Sequence, residues 1–222
     1  DSSSSPVGAY TVVDIDIAAT FERRVADIEG SIASPALALK TNGIVDLAEG
    51  SFRNVAVDFQ LLRPSILATN VSGKNVQGKL LIDGAMAQPV ISYTVTADRL
   101  AFDETTLEGL TANGVARGQS DRMMIPINAR VRRVTGINAE AGGLLTNVWL
   151  AGDLAYANDR VLSNNLKIRS DRLTATAILV GDLDKGFYTG GLKGTLNGYR
   201  IETVGLFNVQ ADFDLESQFN RG

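Results

Sequence analysis

The chain has neither cysteine nor histidine among its 222 residues. Without cysteine there is no disulfide, no thiolate metal site and no thiol nucleophile, although either redox compartment tolerates such a chain. Without histidine there is no Ser-His-Asp or Cys-His constellation and no His-ligated zinc. An enzyme is therefore not expected, and no catalytic, metal or cofactor residue is assigned. Nor is there an apolar run of the roughly 18 to 20 residues needed to cross a bilayer as a helix. Basic runs are missing too: Lys plus Arg is 21 against 25 Asp plus Glu, for a net charge of −4. The densest basic patch is Arg130, Arg132 and Arg133. A nucleic-acid binder normally carries a broader basic stripe, so nucleic acid is not an expected partner. The opening DSSSSPVG has no charged n-region and no apolar h-region, so it does not read as a signal peptide. Residues 1–8 are expected to be a linker or cut end. Residues 9–222 are expected to form one continuous β segment of a longer protein, because an unfinished alternating run precedes Gln218 to Gly222.

What the chain does have is apolar alternation. Hydrophobic residues make up 45% and charged residues 21%, enough apolar material for a large buried face. Period-two runs, which send alternate side chains to opposite faces of a strand, recur along the chain. They include Val13, Ile15, Ile17, Ala19; Val55, Val57, Phe59, Leu61; Ile91, Tyr93, Val95, Ala97; and Met123, Ile125, Ile127, Ala129, Val131. Val148, Leu150, Gly152, Leu154, Tyr156 follow, then Leu173, Ala175, Ala177, Leu179 and finally Phe207, Val209, Ala211, Phe213, Leu215. Turn formers lie between the runs: Asn42-Gly43, Asp83-Gly84, Asn113-Gly114, Gly142-Gly143, Asn158-Asp159, Lys185-Gly186 and Asn197-Gly198. The spacing predicts an all-β, antiparallel chain of about a dozen strands. A single short helix is the competing reading over Phe21, Val25 and Ile28, with Thr20 as N-cap and Gly30 as stop. Phase is ambiguous at Leu61-Leu62 and at Leu144-Leu145.

The polar groups do not assemble into a recognisable site. An Asp-Arg-apolar phrase recurs at Asp98-Arg99-Leu100, Asp121-Arg122-Met123, Asp159-Arg160-Val161 and Asp171-Arg172-Leu173, at intervals too irregular for a solenoid repeat. Neighbouring residues of a strand point to opposite faces, so these acids and bases are expected to solvate strand starts. Asp182 with Asp184, and Asp212 with Asp214, could pair as calcium ligands, but a water-facing polar edge accounts for them better. Gly181 to Gly186 lacks the Gly-Lys-Ser/Thr ending of a phosphate loop. Arg130, Arg132 and Arg133 fit a solvated outer edge better than lipid headgroups. Trp149 lies one step out of the apolar phase of Val148 and Leu150 and is expected to face solvent or a partner. The apolar stripe can pack against a second sheet as in a sandwich. Its many small residues, Ala97, Ala129, Ala175, Ala177 and Ala211, would instead leave volume along an open trough.

The phrase LLRPSILATNVSGKNVQGKLLIDGAMAQPVISYTVTADRLAFDETTLEGLTANGVARG resembles the TamB-like proteins of the translocation and assembly module family, those of alphaproteobacteria most of all. The likeness continues through IPINARVRRVTG, GGLLTNVWLAGDLAY and LKIRSDRLTATAILVGDLDKGFYTGGLKGTLNGY and covers about residues 36–215. The resemblance implies an AsmA-like bridge protein anchored in the inner membrane and reaching through the periplasm. Its fold would be an elongated antiparallel sheet curled into a β-taco trough with an apolar concave face. It implies conduction of phospholipid between inner and outer membranes and a linked role in outer-membrane biogenesis. The implied partners are phospholipid acyl chains, adjoining segments of the same long chain and an Omp85-type barrel. Against the family pattern, the membrane anchor and the terminal region are expected to lie outside this stretch. On the alternation, the lining of such a groove is Ile91, Tyr93, Val95, Ala97, Ile125, Ile127, Ala129, Val131, Val148, Leu150, Leu154, Leu173, Ala175, Ala177, Leu179, Phe207, Val209 and Phe213. The alternatives are a structural or adhesive β-solenoid or β-sandwich domain of a secreted surface protein, and a carbohydrate-active enzyme on a sandwich. A solenoid would show a regular repeat and inward Asn ladders. The enzyme would show clustered aromatics and a carboxylate pair in a cleft, whereas aromatics are only 6% of the chain.

Overall fold

A computed structural model describes residues 13–66, 70–136, 144–182, 187–201 and 205–218, with side chains over the same residues except 144, 187–188, 198–201, 205–209 and 211–218. The expected linker at residues 1–8 therefore lies outside the described residues. The alternating runs form β1 (Asp14–Glu22), β2 (Val25–Ala33), β3 (Leu37–Asp46), β4 (Ser51–Leu61), β5 (Val71–Lys74), β6 (Val76–Ala85) and β7 (Val90–Phe102). They continue as β8 (Thr105–Gly118), β9 (Met123–Thr135), β10 (Leu144–Ala157), β11 (Arg160–Arg169), β12 (Leu173–Asp182), β13 (Phe187–Ile201) and β14 (Gly205–Gln218). All join one antiparallel sheet in the order β1-β2-β3-β4-β6-β7-β8-β9-β10-β11-β12-β13-β14, and the sheet does not close into a barrel. β5 and β6 lie end to end and both pair with β7. Every other connection joins sheet neighbours, which keeps contacts local in sequence.

The short helix over residues 20–30 does not form. Those residues make the β1–β2 hairpin, in which Phe21 pairs with Ala26 and Ala19 with Ile28. Arg23 and Arg24 form its two-residue turn with φ of 49° and 70°. Asn158 and Asp159 turn β10 into β11 in the same way, with φ of 48° and 57°, the geometry that matches strand twist. Other expected turns lie elsewhere. Asn42-Gly43, Asn113-Gly114 and Asn197-Gly198 sit inside β3, β8 and β13, and Asp83-Gly84 falls at the end of β6. Gly142-Gly143 and Lys185-Gly186 lie outside the described residues. Among the described residues the only helical feature is a single 3-10 turn at Pro64–Ile66. Of the Asp-Arg phrases, three precede or open β9, β11 and β12, while Asp98-Arg99 lies inside β7. At Asp121 and Arg122, in the turn before β9, the two side chains do pair, at 3.3 Å.

The sheet is exposed to an unusual degree. A compact globule of 23.6 kDa has an accessible surface of about 9,800 Å², whereas this chain presents 14,468 Å². Among the described residues no large side chain is fully buried. The buried apolar positions are mostly Ala and Val, shaded by taller neighbours within the sheet.

A seam crosses the sheet where alternation slips by one residue at the same level of successive strands. It reads apolar, polar, polar, apolar at Ala97-Asp98-Arg99-Leu100, Leu107-Glu108-Gly109-Leu110, Val131-Arg132-Arg133-Val134 and Leu145-Thr146-Asn147-Val148. Leu100, Leu107, Val134 and Leu145 pair in one row, and Ala97, Leu110, Val131 and Val148 in another. The slip needs a left-handed residue on alternate strands: Asn75 between β5 and β6 (φ 51°), Gly109 in β8 (64°) and Asn147 in β10 (51°). Asn residues tolerate this region and Gly enters it freely. Asn75 donates to the Asp98 carboxylate, and Asn147 Nδ2 donates to Asp171 Oδ2 at 2.9 Å. Val131, Val134 and Leu145 pack together across the seam with Leu107, Leu110, Val148 and Leu173.

The β3–β4 turn carries a pH dependence. Asp46 is buried at 3% exposure. Its Oδ1 accepts from the Ala48 and Glu49 amides, both at 2.9 Å, and its Oδ2 from Arg53 Nη2 at 2.6 Å. The Glu49 amide above all, with the Ala48 amide and Arg53, holds this carboxyl below its ordinary value of 3.8 against the opposing effect of burial. Because the folded-state value is depressed, the stabilisation is present above the ordinary carboxylate range and is lost as pH falls through that range toward the folded-state value. Melting temperature measured against pH should fall on acidification, and Asp46→Asn should flatten part of that fall. An unchanged acid slope in the variant would refute the assignment.

Candidate functional site

Residues paired across an antiparallel ladder share a face. One such row can be followed through every strand of the path. It runs Ile15, Ile32, Leu39, Phe59, Gly78, Val95, Ala112, Ala129, Leu150, Ile168, Ala175, Gly194 and Ala211. No residue in it is polar. At about 4.8 Å between strands it extends for about 58 Å. The adjacent row, one residue along each strand and therefore on the opposite face, runs Asp16, Ser31, Lys40, Asp58, Lys79, Thr94, Asn113, Asn128, Ala151, Lys167, Thr176, Lys193 and Asp212. Ala151 alone breaks its polarity. At the level of these two rows the sheet is thus apolar on one side and polar on the other across its whole width, while elsewhere on the second face Leu81, Val115, Leu162, Ile178 and Val180 stand exposed.

The residues expected from alternation to line a groove fall on this apolar face. Val95, Ala129, Leu150 and Ala175 lie in the central row, with Ile91, Tyr93 and Ala97 along β7 and Ile125, Ile127 and Val131 along β9. Val148 and Leu154 pair with Val131 and Ile125, and Leu173, Ala177 and Leu179 share the face of β12. All fifteen are buried or half-buried. The side chains of Phe207, Val209 and Phe213 lie outside the described residues. Sequence reasoning missed the row's course through β2, β3, β8 and β11, where Ile32, Leu39, Ala112 and Ile168 belong, and with it Leu166 on the same face of β11. In β8 the signal was a run of small residues, Ala112, Gly114 and Ala116, which carries little hydropathy. In β11 a bulge between Ser163 and Leu166 breaks the period. Leu61 pairs with Leu37 and Val76 on the apolar face while Leu62 is exposed, and Leu145 is buried, which resolves both phase ambiguities.

The floor of the apolar face is low. A Cβ on Gly78 would strike the Phe59 ring, so that ring lies flat over the glycine of the next strand. Tyr93 does the same over Gly114 and reaches β9, where its hydroxyl donates to the Pro126 carbonyl at 2.6 Å. Burial raises the Tyr93 hydroxyl above its ordinary value, so it stays a donor. Few polar atoms face this side; Ser163 is one, buried at 6% exposure.

On the polar face Trp149 donates from Nε1 to Asn128 Oδ1 at 3.0 Å and carries the Arg169 guanidinium over its ring at 5.7 Å. Arg130 pairs with Trp149 in register, and Arg132 lies 3.8 Å from Glu108. Asp182 is buried, with its carboxylate 3.8 Å from Arg160. Asp184 lies outside the described residues, and so do the side chains of Asp212 and Asp214. Among the described residues no group of acidic side chains is arranged to hold a metal ion, and no helix is long and apolar enough to cross a membrane. Searches against protein-family models, curated proteins and solved structures find no significant match.

Proposed function

We propose that this chain is a length of a bridge that conducts phospholipid between two membranes, its acyl chains moving along the apolar face. The observation that carries this reading is the apolar row unbroken through all strands of the path. Each acyl methylene withdrawn from water contributes about 0.8 kcal/mol. A face that shields chains evenly offers no position at which a lipid is held, so movement along it meets no deep trap.

The seam supports a trough. Register runs on unbroken across the seam, so its left-handed residues act as local kinks rather than inserted residues, and kinks aligned at one level of successive strands bend a sheet along a single line, as in designed curved sheets. That the buried cluster of Val131, Val134 and Leu145 sits across this line fits a fold there. The resemblance to TamB-like proteins accords with the same reading. It would place the segment in the periplasm, within a protein anchored in the inner membrane, with an Omp85-type barrel as a partner at the far end. A secreted sandwich domain fits less well, because its core would bury large side chains completely. A solenoid fits less well, because its coils run parallel rather than as an antiparallel meander.

Purified in mild conditions, the chain should carry phospholipid detectable by mass spectrometry of organic extracts. Lipid-free extracts from several such preparations would remove the proposal's support.

A further inference from the structure

The polar face carries a feature that lipid conduction does not use. Between β8 and β11 the sheet surface dips into a depression of about 580 Å³. Arg130, Arg132, Trp149 and Arg169 line it together with Val131 and Val148, and the Arg132 side chain lies over the left-handed Gly109. Arg169 thus lies over the indole, Arg130 is its register partner on the other side, and Arg132 adds a third guanidinium on the same stretch of surface, in a chain whose net charge is −4. The acids nearby are already engaged. Glu108 lies 3.8 Å from Arg132, and Asp171 accepts from Thr146 Oγ1 at 2.6 Å and from Asn147. Arg130 and Arg169 flank Trp149 in register on the two neighbouring strands. Trp149 is itself fixed by Asn128, and its ring supports the Arg169 guanidinium. A stacked guanidinium loses little freedom when its edge donors engage an oxyanion, and the fork of arginine matches phosphate oxygens in pairs.

We propose that this depression binds a diphosphate-class anion, with Arg130 and Arg169 each engaging one phosphate and Arg132 adding charge at the rim. Two phosphates give the flanking arginines separate partners, and the depression has room for the group that bears them. The ligand can be a soluble diphosphate or a phosphorylated headgroup. The arginines and Trp149 lie on the face opposite the apolar row, with Val131 and Val148 reaching the floor of the depression, and the proposal does not rest on lipid conduction.

Trp149 is the only tryptophan in the chain, so its emission reports on the site directly. Inorganic pyrophosphate, titrated at low ionic strength, should change that emission saturably, with affinity confirmed by calorimetry. Arg130→Gln and Arg169→Gln should each weaken binding about tenfold, with the β circular dichroism spectrum retained. Lys79→Gln, on the same face but outside the depression, should leave affinity unchanged. Displacement of pyrophosphate by phosphatidylcholine vesicles containing diacylglycerol diphosphate would assign the site to headgroups; failure to displace would assign it to soluble diphosphates. No saturable binding up to about 10 mM pyrophosphate, weaker than any useful affinity, would overturn the proposal. So would an equal loss in Lys79→Gln, which would mean unspecific attraction.

Discussion

Aspartate in place of Ala112 is expected to weaken acyl-chain binding at least tenfold, roughly the effect of 1.4 kcal/mol, while melting within about 4 °C of the parent chain. Ala112 is half-buried near the middle of the apolar row, between Val95 and Ala129. If a second layer covered this face, the carboxylate would be buried unpaired and would cost several kcal/mol of stability. On an open face it projects into water when lipid is absent and costs little. An acyl chain lying along the row must then pass a charge or strip its water, so binding suffers while folding does not. The two readouts are displacement of a fluorescent fatty acid and thermal melting. A collapse in melting temperature would mean a filled core, and undiminished binding would mean that lipid does not use this row. Arg130→Gln, on the other face, should leave acyl binding unchanged.

The largest loss of stability should come from Gly114→Val, about 3 kcal/mol or more, which lowers the melting temperature by about 6 to 12 °C. Pro126 has no amide hydrogen to give the sheet, and paired positions between β8 and β9 lapse between Asn113–Asn128 and Arg117–Met124. Tyr93 bridges that lapse, crossing Gly114 to donate to the Pro126 carbonyl. A side chain at position 114 would overlap that carbonyl oxygen and meet Tyr93 Cε1 and Oη at 2.8 Å. The ring must then leave, and its hydrogen bond is lost with it. Calorimetry of the variant checks the figure; a melting temperature within about 2 °C of the parent would show that Tyr93 does not hold this position.

Period two made the class of fold legible from the residues alone, because strands such as β7 and β9 alternate cleanly up to the seam and need no partner to declare their faces there. Register was not legible, since it depends on which residue sits across the ladder. Asn113-Gly114 shows the difficulty. The pair reads as a turn because both residues tolerate left-handed backbone, yet Gly114 is glycine to admit the Tyr93 ring from another strand. The Asp-Arg phrase shows it again. Asp98-Arg99 lies on the seam of β7 beside Glu108-Gly109 of β8, while Asp159-Arg160 opens β11 after a turn. The two are alike in sequence and become different only once neighbours are known. Trp149, one step out of phase, could be assigned to the polar face from its spacing, but the arginines on either side of it come from two other strands.

Left-handed residues mark the seam on every second strand, so the smallest unit that reproduces it is a pair of strands rather than one. Duplication of such a hairpin would add about 9.6 Å of length and one further left-handed residue, and would leave the cross-section as it was. Length along the apolar row and the strand length that sets its breadth are therefore independent properties of this sheet. Under the proposed function, a bridge would match the gap it spans by counting hairpins, without redesigning the face that a lipid would meet.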